Sequence, residues 1–536
     1  MQIQDLSYKL NNDSLDLGDY KVSVEVFSLE NVYTIAPGTL LRKDNYHYSN
    51  DLLWGNDVKT SGNVELHIDN HEEYREFQVE ASLTQNIRSI KIRFDGLPLG
   101  KYISSVDEDK DVTERGLIFK YPEGWRSLST PLLVFKLENG KYLYISVKDE
   151  KVRHKIFFFK KVDDKMRMDV VLECDGTEMS YRFLTPKVEC GVVDSLENII
   201  LKHSNFIKEA YGLEEYAECS IAPSWLKDIS LVVTMHMETF TGFIFHTYKQ
   251  ALEDMKQICS YLDGKNILVY LPGWEGRYYY KYGNYTPDDR LGGAEELKKL
   301  VDGLHKLGCK VMAMYGMNIM NKNTPALQGI WEEAEFQSIS GAKYHNGSVD
   351  WEGAHHYDFN ELVQLNVGCK SYQDYLFNQI KVATDEFDFD GAFLDIAACY
   401  TNDRNNKLYE GVVELCNRLR TIKKDFLVSG EGYYDGLSKA MPLFQSGHTD
   451  GWMHYHDRVS PLLFTRFSRE FAHLCLGDVG RGSSGVHELG TNTETMTPLR
   501  EGIIPTLSLV EDTVKDYFEK VKEILDQAKE YKRRFL

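Results

Sequence analysis

The chain has 536 residues, of which 42% are hydrophobic and 27% are charged. It is therefore long enough for several domains, and its composition excludes a wholly disordered protein. Its 82 acidic and 62 basic residues give a net charge of -20. Because such a chain is repelled by a phosphate backbone, we expect no nucleic-acid partner. Aromatic residues make up 12% of the chain, and exposed rings of this kind can stack on sugars.

The sequence also indicates in which cellular compartment the protein is expected. No run of about 18 apolar residues is present, and residues 1–5 lack the basic start and apolar run of a secretory signal. A mature chain whose signal had been removed would look the same. The nine cysteines are widely spaced and include no C-x-x-C pair, which favours reduced thiols. We therefore expect a cytoplasmic protein with no membrane partner, no metal and no other cofactor.

Residues 1–193 are predicted to form an all-β domain. Apolar and polar residues alternate at 20–26, 64–68, 90–94 and 143–147. An alternation with period two gives each strand one buried face and one wet face. Many such strands separated by glycine and asparagine turns are typical of a β-sandwich.

A helical linker is predicted at 194–224. Asp194 and Ser195 can cap a helix that runs to Gly212, with apolar residues along one face. The change from period two to a helical period marks the junction between two domains.

Residues 225–536 alternate between apolar strands and amphipathic helices. Such strands are typical of a parallel sheet covered on both sides. About eight repeats over roughly 300 residues favour a (β/α)8 TIM barrel, and the main rival is an open doubly wound sheet. The predicted strands are 229–235, 267–271, 311–315, 392–396 and 426–429, with later candidates near 443, 472–476 and 503–507. The predicted helices lie near 248–262, 297–308, 371–387, 408–419 and 511–534, and Ser371 with Asp374 is expected to form a capping box at the third.

Two carboxylates follow neighbouring strands of the predicted barrel. Asp395 ends the fourth strand and Glu431 ends the fifth. Active-site residues of barrels lie at these strand ends, so the two side chains are expected to face each other. Cleavage of a glycosidic bond needs such a pair, one carboxylate as nucleophile or base and one protonated carboxyl as acid. The expected partner is therefore an oligosaccharide or glycoconjugate substrate.

Other strand ends and loops supply candidate substrate-binding residues. They share polar groups that can bond sugar hydroxyls or rings that can stack on sugars. These candidates are His236, Trp274, Glu275, Arg277, Tyr315, Asn318, Trp351, His356, Tyr433, Trp452, His456 and Asp457.

Several short blocks resemble the barrels of retaining α-glycosidases. The blocks are 285–288 (YTPD) with 291–294 (LGGA), 390–395 (DGAFLD) and 428–431 (VSGE). The nearest kin in this resemblance are endo-α-N-acetylgalactosaminidase-like and related bacterial hydrolases, which also carry an N-terminal β-sandwich. The resemblance implies a retaining double displacement with Asp395 as nucleophile and Glu431 as general acid/base. The sequence departs from α-amylase-type members, which have an arginine where Phe393 stands.

Two alternatives remain open at the level of sequence. His454 and His456 lie two residues apart, and on a strand both would point to one face and could hold the metal of a metal-dependent hydrolase. The chain could also be a non-catalytic carbohydrate-binding protein. The sequence leaves the identity of the sugar, chain-end or internal cleavage, and the oligomeric state open.

Overall fold

The chain forms a large antiparallel sheet followed by a parallel sheet with helices around it, as the two hydrophobic periods predict. This computed structural model describes residues 10–55, 57–122, 127–239, 242–276, 280–343, 362–446, 462–476, 499–510 and 513–536.

Seventeen strands of the described chain make up the antiparallel region. Its centre is β8, which pairs with β2 on one side and β15 on the other. The inward-facing Val22, Ile92 and Val170 of these three strands are buried, as period two predicts. The exposed face expected for 90–94 is wrong, because Lys91 and Arg93 are also buried and pair with acidic side chains of β2 and β15. The strands are β1 Ser14–Asp16, β2 Lys21–Ser28, β3 Val32–Ile35, β4 Leu41–Lys43, β5 Tyr46–Trp54, β6 Lys59–Asn70, β7 Tyr74–Leu83, β8 Ile87–Pro98, β9 Gly100–Ile103, β10 Glu108–Asp111, β11 Leu117–Tyr121, β12 Leu132–Leu137, β13 Tyr142–Lys148, β14 Lys155–Val162, β15 Lys165–Glu173, β16 Arg182–Leu184 and β17 Lys187–Val193.

The helix predicted after the sheet is present as α1, Leu196–Tyr211. The Ser195 side chain caps it by accepting from the backbone N–H of Asn198, and Gly212 ends it in the left-handed conformation.

The second sheet consists of parallel strands that neighbour one another in chain order. In this sheet β20 and β23 are paired with Gly316 opposite Asp395. The strands are β18 Leu231–Met235, β19 Ile267–Leu271, β20 Lys310–Gly316, β23 Gly391–Asp395, β24 Leu427–Glu431, β25 Leu443–Ser446, β26 His473–Leu476, β27 Ile503–Ile504 and β28 Thr506–Leu509. A separate two-stranded sheet is formed by β21 Ile319–Asn321 and β22 Leu362–Gln364.

The final two strands of this sheet lie on either side of Pro505. Ile503–Ile504 pairs in parallel with β26, and Thr506–Leu509 pairs in parallel with β18. The Pro505 carbonyl still accepts from the N–H of Val232, but proline has no N–H to contribute to a strand ladder. The segment therefore touches both the first strand of the sheet and the seventh.

The remaining helices are α2 Tyr248–Cys259, α3 Gly293–Lys306, α4 Trp331–Ala334, α5 Lys370–Phe387, α6 Leu408–Leu419, α7 Leu462–Phe471, α8 Thr513–Asp516 and α9 Phe518–Phe535. The predicted capping box of α5 is wrong. Cys369 is the N-cap and makes no side-chain cap bond, while the Ser371 hydroxyl donates to Glu333 and Asp374 pairs with lysine and arginine side chains. Side-chain partners brought in by tertiary packing replace the local bonds that the spacing suggested.

A buried hydrogen-bond cluster joins the antiparallel region to the loop after β24. Asp435 Oδ1 accepts from the Tyr121 hydroxyl at 2.6 Å and Oδ2 accepts from Thr130 at 2.8 Å. The Thr130 hydroxyl also lies 2.7 Å from Nε2 of His203 on α1. The loop that follows Glu431 is thereby fixed against the antiparallel sheet.

Among the helices that the structure describes, none has the length and apolar character needed to cross a lipid bilayer.

Candidate active site

Asp395 is the last residue of β23, and Glu431 is the last residue of the neighbouring strand β24. Both side chains are largely buried, with 5% and 7% of their surfaces exposed. Carboxyl ends of parallel strands meet at one edge of the sheet, and this places the two predicted carboxylates side by side.

Tyr282 provides a hydrogen bond to Asp395. Its hydroxyl donates to Asp395 Oδ2 at 2.6 Å. Gly316, which lies opposite Asp395 on β20, makes this approach possible. A Cβ atom at Gly316 would lie 2.1 Å from the Tyr282 ring, so any side chain there would displace the ring.

Glu431 contacts both Asp395 and the backbone that follows it. Glu431 Oε2 accepts from the N–H of Ile396 at 3.1 Å, which places its carboxyl group beside the residue that follows Asp395, and a hydrogen bond from Glu431 lowers the pKa of Asp395.

The backbone directly after Asp395 is strained. Ile396 has a φ of 58°, a left-handed conformation that is rare for a β-branched residue. Two side chains hold it there. Glu431 accepts from its N–H, and the Asn318 amide donates to its carbonyl oxygen at 2.9 Å. Strain of this kind persists only where surrounding contacts impose it, and it is common at functional sites.

The electrostatics of Asp395 follow from its surroundings. Burial raises the pKa of Asp395 above its ordinary value. The hydrogen bonds from Tyr282, from Glu431 and from the backbone at Ile396 act in the opposite direction, because they favour the charged form.

Glu275 is a third buried carboxyl group close to this pair. It follows β19, and its surface is fully buried. Neither of its carboxyl oxygens has a hydrogen-bond partner on another described residue. Burial first, and then the charges of Asp395 and Glu238, raise the pKa of Glu275 to about 8. This group therefore keeps its proton at neutral pH and can donate a hydrogen bond.

A charged pair lies beside Glu275. Arg290 donates to both carboxyl oxygens of Glu238, at 2.5 and 2.7 Å, and also to Asp288. Glu238 is buried, whereas about half of the Arg290 side chain is exposed. Both bonds to Glu238 come from one nitrogen, Nη2 of Arg290, and this charge-assisted contact holds the loops after β18 and β19 together.

Several predicted substrate-binding residues have structural contacts. Trp274 is fully buried against the Tyr315, Tyr285 and Phe389 rings, and its indole N–H donates to the Met314 carbonyl at 2.9 Å. Neither Trp274 nor Tyr315 has an exposed ring face for a sugar.

The remaining described candidates are also buried. The Tyr433 hydroxyl donates to the Phe467 carbonyl of α7 at 3.1 Å. His236 packs edge-to-face on Phe245, and its carbonyl lies 2.7 Å from Nδ1 of His246. Asn318 lies near Asp395 through its bond to Ile396. The structure thus brings Asp395, Glu431, Asn318 and Glu275 into one region.

Six of the predicted substrate-binding residues lie outside the described residues, as do both histidines of the metal alternative, one of which (His456) is also among the six. They are Arg277, Trp351, His356, Trp452, His456, Asp457 and His454.

Tyr282 and Gly316 were not predicted from the sequence. Tyr282 belongs to a tyrosine-rich stretch of the loop after β19, and no local pattern distinguishes the tyrosine that reaches Asp395. The pairing of Gly316 with Asp395 depends on the register of two strands that are distant in sequence.

A scan against models of known protein families finds no match for this chain. Solved structures match nearly its whole length. The α-N-acetylgalactosaminidase NagBb of Bifidobacterium bifidum is similar with a TM-score of 0.64 at 12% identity, covering 97% of this chain and 93% of that one.

Two other solved structures are also similar. The GH36 α-galactosidase AgaA of Geobacillus stearothermophilus matches with a TM-score of 0.53 at 11% identity, over 97% of this chain and 76% of its own. The galactosidase domain of the α-galactosidase–sucrose kinase AgaSK matches with 0.55 at 13% identity, over 95% and 74%. The resemblance noted in the sequence is therefore confirmed at the level of the fold, which this chain shares with glycoside hydrolases that act on α-linked galactose-type sugars.

Proposed function

We propose that this protein is a retaining α-glycosidase in which Asp395 is the nucleophile. The observation that carries the proposal is the buried Asp395 carboxyl at the end of a parallel strand, hydrogen-bonded by Tyr282 and next to a second carboxyl group. A nucleophile needs a fixed direction of attack and limited access of water, and both follow from this environment.

We further propose that the parallel strands close into a (β/α)8 barrel. Ile503–Ile504 and Thr506–Leu509 act as one eighth strand interrupted at Pro505, since they pair with the seventh and first strands respectively. From β18 to β26 the strands of this sheet neighbour one another in chain order. A doubly wound sheet would instead reverse its strand order at one point. The domains proposed from the sequence are a sandwich at 1–193, a helical linker at 194–224 and the barrel at 225–536.

Two described carboxyl groups compete for the role of general acid/base. Glu431 is the residue predicted from the sequence, and its carboxyl group accepts from the backbone N–H directly after Asp395. To act as acid in a retaining enzyme it must lie ~5–5.5 Å from Asp395, so that the anomeric carbon and leaving oxygen fit between them. Glu275 already carries the proton that a general acid donates, because its pKa of about 8 keeps it protonated at neutral pH.

The substrate class follows from the solved structures with the same fold. They are named as α-galactosidases and an α-N-acetylgalactosaminidase. We propose a terminal α-galactoside or α-N-acetylgalactosaminide as the substrate. Carboxyl groups such as Glu275 suit this class, because they can bond the sugar hydroxyls that distinguish one hexose from another.

The proposal is tested with aryl α-glycosides and chemical rescue. Asp395→Ala should abolish turnover, and azide should restore it with formation of the β-glycosyl azide, because azide attacks the face that the missing carboxylate occupied. Loss of the acid/base residue should leave turnover of dinitrophenyl glycosides, whose leaving group needs no proton, and azide should then give the α-glycosyl azide.

Glu431→Ala and Glu275→Ala are compared in this assay, and the variant that gives the α-azide identifies the acid/base. Asp388→Asn serves as the control, since Asp388 is an exposed residue before β23 whose left-handed backbone suits asparagine. Normal turnover of every aryl α-glycoside by Asp395→Ala would overturn the assignment of the nucleophile.

The two alternatives from the sequence have their own tests. A metal-dependent hydrolase using His454 and His456 requires a tightly bound metal, which elemental analysis of the purified protein detects. A non-catalytic binding protein would bind sugars equally well after Asp395→Asn and Glu431→Gln, and it would cleave none of the activated glycosides.

A further inference from the structure

Two thiols that the proposed reaction does not use lie in contact at the other end of the barrel strands. The Sγ atoms of Cys259 and Cys309 are 3.6 Å apart. Cys259 is the last residue of α2, and Cys309 directly precedes β20. Because Gly316 at the far end of β20 lies opposite Asp395, the seven residues from Cys309 to Gly316 put the thiols about 20 Å from the carboxyl pair.

The two thiols differ in access and in charge. Cys259 is partly exposed, whereas Cys309 is buried. The hydrogen bond from Cys309 lowers the pKa of Cys259, and the same contact with burial raises the pKa of Cys309. Cys259 is therefore the more acidic thiol of the two, and the thiolate is the nucleophilic form of cysteine.

We propose that Cys259 and Cys309 form a thiol–disulfide exchange site that reacts with low-molecular-weight disulfides and closes as an intramolecular disulfide. Closure requires the sulfur atoms to approach from 3.6 Å to about 2.05 Å. A Cys259–Cys309 disulfide would open again under reducing conditions. It therefore agrees with the reduced thiols that the sequence predicts.

The reaction balances in two steps. The Cys259 thiolate attacks one sulfur of glutathione disulfide and expels a glutathione thiolate, which takes up a proton. The Cys309 thiol then loses its proton and attacks the Cys259 sulfur, which expels the second glutathione thiolate. Two protein thiols are oxidised to one disulfide, and one glutathione disulfide is reduced to two glutathione molecules.

The cross-link would enclose part of the proposed active site. The loop between the two cysteines contains β19, Glu275, Tyr282 and Arg290. A disulfide over a loop of this length restricts the unfolded chain. We therefore expect the oxidised protein to have a thermal unfolding midpoint a few degrees higher, with reversal by dithiothreitol.

The test treats the full chain with glutathione disulfide, alkylates the remaining thiols and maps the peptides by mass spectrometry. The expected product has lost two hydrogen atoms and contains a Cys259–Cys309 peptide. Cys309→Ser should instead accumulate a glutathione adduct on Cys259, because the resolving thiol is absent. Cys416→Ser, which removes a buried thiol on α6, should react as the natural chain does.

Three other outcomes of this experiment would contradict the proposal. A cross-link between other cysteines, or no cross-link at all, would overturn it. So would a Cys309→Ser variant that gains no glutathione, since the Cys259 thiolate would then not be the attacking group. These results do not depend on glycosidase activity, so they stay distinct from the fate of the proposed function.

Discussion

The hydroxyl of Tyr282 donates a hydrogen bond to Asp395 Oδ2 at 2.6 Å across a position where the neighbouring strand has no side chain. Tyr282 stabilises the charged form of Asp395, which burial disfavours. It also fixes the orientation of the carboxyl group that is proposed to attack the sugar. Three residues from three segments, Tyr282, Gly316 and Asp395, therefore act as one unit.

Removal of this hydroxyl should weaken the nucleophile. In Tyr282→Phe the pKa of Asp395 rises further, because a hydrogen bond to the carboxylate is lost. We expect kcat/KM to fall about 10- to 100-fold, and its acid limb to move to higher pH. The pH profile of kcat/KM with an aryl α-glycoside measures both effects.

Tyr285→Phe is the matched control, since the Tyr285 hydroxyl bonds the Gly316 backbone and makes no bond to Asp395. It should leave the acid limb in place. An unchanged acid limb in Tyr282→Phe would contradict the role assigned to this hydroxyl.

The close approach at Gly316 gives a second prediction. Gly316→Ala places a methyl group 2.1 Å from the Tyr282 ring, so the ring must move away from Asp395. The activity loss should be at least as large as that of Tyr282→Phe, and the double variant should lose little more than Gly316→Ala. Steady-state kinetics of the two single variants and the double variant measure this coupling. Additive losses would show that the glycine acts by another route.

The strained backbone after Asp395 gives a third prediction. Asn318→Ala removes the donor to the Ile396 carbonyl. The left-handed Ile396 then keeps only the hydrogen bond from its N–H to Glu431. We expect a loss of about 1–3 kcal/mol in the free energy of unfolding and a lower kcat. Urea denaturation and kinetics measure the two effects. An exposed asparagine variant, Asn417→Ala on α6, should keep its kcat, and an Asn318→Ala variant with normal kcat would contradict the prediction.

A fourth prediction concerns the pH dependence of stability. Glu275 has a pKa of about 8 in the folded chain, against about 4.3 for an exposed glutamate. The folded state therefore holds a proton that the unfolded state has released, and its stabilising effect is complete at low pH and lost as the pH rises to 8. In Glu275→Gln this loss is absent, because the amide does not ionise.

The measurement is the free energy of unfolding of both proteins between pH 5 and 8.5. The natural chain should lose stability relative to Glu275→Gln by at most about 1.4 kcal/mol per pH unit. Glu523→Gln, on an exposed site of α9, should follow the natural chain. Parallel curves for Glu275→Gln and the natural chain would rule out a buried, protonated Glu275.

The contact between the two sheets gives a fifth prediction. Asp435→Asn puts an amide N–H₂ where an oxygen accepts from the Tyr121 or Thr130 hydroxyl. One buried donor then loses its acceptor, and we expect a loss of about 1–3 kcal/mol. Urea denaturation at pH 7 measures it, with the exposed Asp385→Asn of α5 as control. Equal stabilities of the two variants would mean that this cluster contributes nothing to the joining of the sheets.

The sequence was sufficient for the order and type of most elements. Period two at 20–26 and the capped helix before Gly212 are local patterns, and both predicted elements are present. The strand ends that carry Asp395 and Glu431 were also predicted from the sequence, because a buried parallel strand is an apolar run with a polar residue after it. The capping box at Ser371 failed because Glu333, distant in sequence, takes the serine hydroxyl.

The sequence by itself determined a β-rich segment, a strand–helix alternation and two carboxyl groups at neighbouring strand ends. Tertiary structure alone decided that Glu431 bonds the backbone directly after Asp395, that Tyr282 and not another tyrosine reaches Asp395, and that neither carboxyl oxygen of Glu275 bonds another described residue. The physical reason is that periodicity reflects which face of an element is buried. Contacts between side chains depend instead on strand register and on loops that pack from distant parts of the chain.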